Sequence, residues 1–154
     1  MRFVVVVVGK PRDANLAGAI REYETRARRY WPLDVHEVRE EPARSGSADL
    51  VREREAERLL SAVPPAAQVY TCDVGGRAMT SEEFSAWLVG LRERARDIAF
   101  VVGGAFGLGS AVSQRASGSL SLAPWTLPHE MARLVLAEQL YRAGTIVKRE
   151  PYHK

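Results

Sequence analysis

Phe3-Val4-Val5-Val6-Val7-Val8-Gly9 is six apolar residues in a row, five of them β-branched, closed by a glycine. A strand with one wet face alternates apolar and polar residues. A run with no polar position belongs to a strand covered on both faces, as strands inside a parallel sheet are. Ile98 to Val102 repeats the pattern, again ending in glycines.

Outward from these two runs the chain alternates strand-like and helix-like stretches. Asp13 caps a helix to about Tyr30, with Leu16, Ile20, Tyr23 and Ala27 on one face, and Trp31-Pro32 closes it because a residue before proline avoids the helical region. Leu33 to Val38 reads as a strand. The stretch 40–47, with Pro42, Ser45, Gly46 and Ser47, is a loop before a charged helix from about Ala48 to Ala62, whose thin apolar stripe is Leu50, Val51, Leu59 and Leu60. Pro64-Pro65 stops that helix, and Gln68 to Cys72 is the next strand. Thr80 with Glu83 is a capping-box signature, with Ser81 as the other possible cap, for a helix to about Ala95 that turns Phe84, Trp87, Leu88 and Leu91 inward. A short helix from about Ser110 to Ala116, a strand near Ser119 to Leu122 and a long helix from Pro128 to about Ala143 complete the order.

This alternation predicts one three-layer α/β domain over residues 1–154 with a mostly parallel sheet. Ligands of such sheets collect at the carboxyl ends of the strands, so the loops after Val8, Cys72, Val102 and Leu122 carry the functional expectations.

Composition narrows the classes. No apolar run approaches the roughly 18 to 20 residues of a membrane helix, and Met1 to Val8 is too short for a secretory signal, so a soluble protein that stays where it is made is expected. Cys72 is the single cysteine, and His36, His129 and His153 show no metal-ligand spacing, so neither an internal disulfide nor a metal site is expected. Lys and Arg number 22 against 19 Asp and Glu, and Arg142, Lys148, Arg149 and Lys154 against Glu150 alone fall in the last 13 residues, leaving 18 of each sign before them. A basic tail on a neutral body is either a contact for something anionic, such as RNA phosphate, or a solvated terminus.

Four constellations could carry chemistry. Gly103-Gly104-Ala105-Phe106-Gly107-Leu108-Gly109 follows a buried strand, where glycines let a ligand approach the backbone; its spacing is not the G-x-G-x-x-G of dinucleotide folds, and a tight structural turn would read the same. Leu122-Ala123-Pro124-Trp125-Thr126-Leu127-Pro128-His129 is a proline-bounded corner whose fixed main-chain groups suit an adenine edge, or a rigid turn alone. Met131, Leu134, Val135, Leu136, Leu140 and Tyr141 cover more than one face of the last helix, which predicts a partner subunit or, alternatively, a central core helix. Pro151-Tyr152-His153-Lys154 offers a proton-exchanging imidazole, a stacking ring and a cation, though such termini are often only solvated.

Val102-Gly103-Gly104 with Gly107-Leu108, Leu120-Ser121-Leu122 with Thr126-Leu127-Pro128-His129, the stretch Arg133 to Ala143, and Pro151-Tyr152-His153 together resemble the small SPOUT-class ribosomal RNA methyltransferases of the RlmH (YbeA) type. The resemblance implies an α/β fold with a C-terminal trefoil knot. It implies S-adenosylmethionine held by Cys72, Gly103, Gly104, Gly107 and the loop Leu122, Ala123, Pro124, Trp125, Thr126 and Leu127. It further implies a cytoplasmic homodimer whose Tyr152 and His153 reach a composite site, with His129, Arg142, Tyr152 and Lys154 toward the RNA. The substrate implied is N3 of a pseudouridine in 23S rRNA, in the assembled ribosome. The family's glycine loop commonly reads Gly-Gly-Pro-Glu-Gly; here Ala105 and Phe106 stand in for the proline and the acid, so any part that carboxylate plays is lost or moved.

Methyl transfer from a sulfonium is an in-line displacement that needs the nucleophile about 3 Å from the methyl carbon. N3 of pseudouridine is a weak acid, so a base or a cation favouring its anion is required. His153, Tyr152, Arg142, Arg133 and Lys154 are the available groups, with no single base singled out. Two rivals stand beside this reading. One is a non-catalytic ribosome-binding or assembly module, marked by Ala105-Phe106. The other is a flavodoxin-like nucleotide enzyme, disfavoured because Gly9-Lys10-Pro11-Arg12 has one glycine and a proline that removes an amide donor.

Overall fold

A computed structural model describes residues 1–154 as β1 (Phe3–Val8), α1 (Ala14–Ala27), β2 (Leu33–Val38), a short 3-10 turn (Ala43–Ser45), α2 (Ala48–Ala62), β3 (Gln68–Ala78), α3 (Ser81–Arg92), β4 (Ile98–Val102), α4 (Ser110–Arg115), β5 (Gly118–Ser121) and α5 (His129–Val147). The five strands form one sheet in the order β2-β1-β4-β3-β5, and every pairing is parallel. The sheet is therefore wholly rather than mostly parallel.

The valine run explains the layers. All six residues of β1 are buried. Because successive side chains point to opposite faces, Phe3, Val5 and Val7 join a core with Ala27, Leu88 and Leu136, from α1, α3 and α5. Val4, Val6 and Val8 join a second core with Ala56, Leu59 and Val112, from α2 and α4. Helix starts are set locally: the Asp13 side chain accepts from the Leu16 amide, and Thr80 and Glu83 exchange side chain for backbone in a complete capping box.

Several boundaries differ from the sequence reading for identifiable reasons. α1 ends at Ala27, and Trp31 beyond it is buried, its indole donating to the Leu140 carbonyl at 2.7 Å. β3 runs past Cys72 to Ala78 through a register shift, so that Cys72 and Arg77 both pair with Leu120. α3 stops at Arg92 instead of continuing to Ala95. The buried stripe of α2 is Val51, Glu55, Ala56 and Leu59, while Leu50 is 39% exposed. α5 continues through Gly144 to Val147, because that glycine is where Tyr30 packs; a Cβ there would collide with the Tyr30 side chain. Pro128 occupies the N-cap position, one residue before the helix. No helix is long and apolar enough to cross a membrane.

The strand order sets the carboxyl ends of β1, β4, β3 and β5 side by side. The loops that leave them meet over one edge of the sheet.

Candidate functional site

Those loops enclose a cavity of about 490 Å³ lined by Cys72, Asp73 and Val74, by Val102 to Ala105 with Gly107 and Leu108, and by Leu122, Ala123, Trp125 to His129 and Ala132. The glycine stretch and the proline-bounded corner thus face each other across one niche. The glycine loop is a tight turn closed by the Gly107 amide donating to the Gly104 carbonyl at 3.0 Å. Two of its glycines are dictated by geometry. Gly107 has φ +84°, in the region L side chains avoid, and a Cβ on Gly103 would lie 2.8 Å from the Gly107 carbonyl group. The corner is stiffened where Ser121 donates its hydroxyl to the Ala123 carbonyl at 2.8 Å.

Of the residues singled out for a cofactor, Cys72, Gly103, Gly104, Gly107, Leu122, Ala123, Trp125, Thr126 and Leu127 line this cavity, and Pro124 does not, lying exposed beside it. His129 lines it too. Val102, Ala105, Leu108 and Pro128, from the quoted stretches but not assigned to the cofactor, line it as well, and Asp73 and Val74 in β3 and Ala132 in α5 complete the lining from outside those stretches. Ala105 is part of the wall, and Phe106 turns out of it, 40% exposed, with its carbonyl accepting from Arg52 at 3.3 Å. Trp125 is 78% exposed at the rim. Burial pushes the Cys72 thiol up to about 12, so it stays a neutral wall group at physiological pH.

Arg133 is placed otherwise than a substrate-facing cation requires. It is buried, donating to Glu24 at 2.8 Å and to Glu37 at 2.9 Å, and so clamps α5 to α1 and β2. Burial works to lower its pKa, but Glu24 and then Glu37 outweigh it and the net shift is upward. Its charge is fully used inside the fold.

The remaining residues cluster on the far side of α5, outside the cavity. Arg142 donates to Glu138 at 2.6 Å and stacks 4.7 Å over the Tyr152 ring. The Tyr152 hydroxyl donates to Glu138 at 3.0 Å and lies 3.4 Å from the Tyr23 hydroxyl. Burial first, then these hydrogen bonds, push the phenol pKa upward. His153 has Nε2 2.8 Å from Glu82 and Nδ1 3.3 Å from Arg142. A guanidinium can only donate, so when both contacts are made Nδ1 accepts and Nε2–H donates to Glu82. Its lone pair is thereby occupied by Arg142. Lys154 is exposed. No group of three or more His, Cys, Asp or Glu side chains is arranged to hold a metal.

Comparison with known proteins follows the same lines. A family model described as predicted SPOUT methyltransferase matches residues 1–153. The chain belongs to the SPOUT methyltransferase family. This SPOUT chain is 64% identical over 154 residues to the ribosomal RNA large subunit methyltransferase H of Gemmatimonas aurantiaca, covering 100% of both. It is 45% identical to the protein of that description from an Anaeromyxobacter species, again covering 100% of both. Among solved structures it is similar to a probable methylase family protein from Haemophilus influenzae, with TM-score 0.56 and 16% identity, covering 99% of this chain and 70% of that one. At that identity the likeness speaks for the SPOUT fold alone.

Proposed function

We propose that residues 1–154 act as one cytoplasmic SPOUT domain that transfers the methyl group of S-adenosylmethionine to N3 of a pseudouridine in the 23S rRNA of assembled ribosomes. The observation that carries this reading is the convergence of the glycine turn and the Leu122–Pro128 corner on one cavity; relatives named ribosomal RNA large subunit methyltransferase H supply the substrate class. The residues fit the donor. A volume of about 490 Å³ falls in the usual range for small-ligand pockets, about 300–1,000 Å³. Asp73 is the sole acidic side chain in the lining and suits a donor with cationic groups. Phe106 faces away from the cavity, so the Ala105-Phe106 replacement does not block it, and an inert module is not favoured.

The donor would supply an electrophilic methyl on a sulfonium. The chain's part is to position and to manage one proton. Tyr152 keeps its own proton at neutral pH and His153 has its lone pair occupied, so N3–H would give its proton to solvent water, and Arg142, with Lys154, would act by favouring the anion that is left. None of Arg142, Tyr152, His153 and Lys154 lines the cavity of its own chain. This supports a homodimer in which one protomer's tail completes its partner's site, with Met131, Leu134 and Val135, half-buried on α5, available for the contact. The knotted threading belongs to the same proposal. Its support is that α5 leaves the corner after edge strand β5 and crosses back to α1 through Arg133–Glu24 and to the turn after α1 through Gly144–Tyr30.

Purified ribosomes from a strain without this modification, incubated with the protein and deuteromethyl donor, should yield a deuteromethylated pseudouridine in nucleoside mass spectrometry of 23S rRNA. Absence of label there would overturn the reading. Replacing Gly103 with Val should weaken donor binding by at least about tenfold, equivalent to about 1.4 kcal/mol, since the new side chain would enter the Gly107 backbone. Calorimetry at equal fold content reads the loss, and unchanged affinity would remove the glycine turn from the site.

A further inference from the structure

At the opposite end of the sheet, the amino ends of β3 and β4, a groove of about 900 Å³ opens between the Pro64–Gln68 segment, the turn from Arg94 to Asp97, and Arg115 with Ser117. Three guanidinium groups line it. Arg115 is fixed at the rim, its Nη2 donating to the Ala67 carbonyl at 2.9 Å and reaching that of Pro65 at 3.4 Å. Arg94 and Arg96 are exposed and make no ion pair. The one acid in the lining, Asp97, is taken up by Arg2, which meets it through its backbone amide at 2.8 Å and its guanidinium at 3.3 Å. The groove therefore presents unneutralised positive charge on a body, residues 1–141, whose cations and acids number 18 each with the groove included. Its walls are small residues and backbone, with room for an extended anion.

We propose that this groove binds the phosphodiester backbone of rRNA, as an anchor remote from the methyl-transfer cavity; the inference rests on the rRNA reading above. β3 and β4 pair over five residues, Gln68–Cys72 against Ile98–Val102, so about 15–17 Å of strand separates the two ends. A nucleotide in the cavity and a phosphate in the groove are therefore not adjacent in the RNA. Planar guanidinium forks match phosphate oxygens in pairs, and contacts of this kind add affinity without reading sequence.

The test uses the full chain with Arg94→Ala/Arg96→Ala and, separately, the charge-reversed Arg94→Glu/Arg96→Glu. Both changes are on the surface and outside the cavity, so melting temperature and donor affinity should match the wild type. With ribosomes as substrate, KM should rise about tenfold for the alanine pair and further for the glutamate pair, with kcat at saturation kept. The slope of log affinity for deproteinised 23S rRNA against log salt should flatten by about 1 to 2. Unchanged KM and slope in both variants would overturn the proposal. So would a KM rise with unchanged affinity for the deproteinised RNA, which would assign the groove to a ribosomal protein. Binding is read separately from turnover, so a wild-type chain that binds RNA with the full salt slope but does not methylate counts against the methyltransferase reading alone.

Discussion

Deleting Pro151 to Lys154 should lower ribosome methylation by about 10²–10⁴-fold, the usual range for losing groups that manage a proton in the transition state, while donor affinity stays at the wild-type value. The separation of effects follows from the placement of the tail. Tyr152 and His153 rest on Glu138, Arg142 and Glu82, and none of the deleted residues lines the donor cavity. Single-turnover methylation and donor calorimetry on one preparation read the two quantities. If the tail of one protomer serves its partner, mixing the deletion variant with a Gly103→Val chain should restore activity in the heterodimer, where one intact cavity meets one intact tail. Full turnover by the deletion variant would remove the tail from the chemistry.

Replacing Arg133 with Met should cost about 3–5 kcal/mol of stability, the range for breaking a buried ion pair on one side. Glu24 is only 6% exposed and would be left with no cation, and Glu37 would lose its partner as well. For a chain of this size that corresponds to a fall in melting temperature of about 10 °C or more. Adding Glu24→Leu removes the stranded charge and should recover much of the loss. Denaturant unfolding of the three proteins checks both statements. A near-neutral Arg133→Met with greatly reduced turnover would instead make Arg133 a group of the active site.

Arg133 also shows where the sequence stops being informative. An arginine in an apolar C-terminal helix looks available for substrate, because Glu24 and Glu37 lie about a hundred positions away and no local pattern links them to it. Features set by near neighbours were legible: the twice-covered valine strand, the Asp13 cap, the Thr80–Glu83 capping box, and the strand ends where the cavity forms. Features set by distant contact were not. The strand from Gln68 reads as ending at Cys72, yet β3 continues to Ala78 by slipping register against Leu120. The last helix reads as ending near Ala143, yet it runs on through Gly144, the close approach of Tyr30, to Val147. Leu50 reads into the apolar stripe of α2 but is 39% exposed, while Glu55 packs beneath the glycine turn, one carboxyl oxygen accepting from the Glu41 amide at 3.2 Å. A periodicity rule places an acid there on the wet face.

The same division holds in the site. Glycines after a buried strand and a proline-bounded corner mark two stretches, and parallel topology makes them neighbours. That Asp73 and Val74 join them depends on the β3 irregularity, and that the Tyr-His tail lies outside its own cavity depends on the packing of α5 against α1 and α3.

The most direct measurement is a crystal structure grown with S-adenosylmethionine. The account predicts donor density between the Gly103–Leu108 turn and the Leu122–His129 corner, its adenine edge against main-chain groups and its methyl open to solvent or to a partner's tail. Full-occupancy density at any other place on the molecule, with this cavity empty, would contradict it.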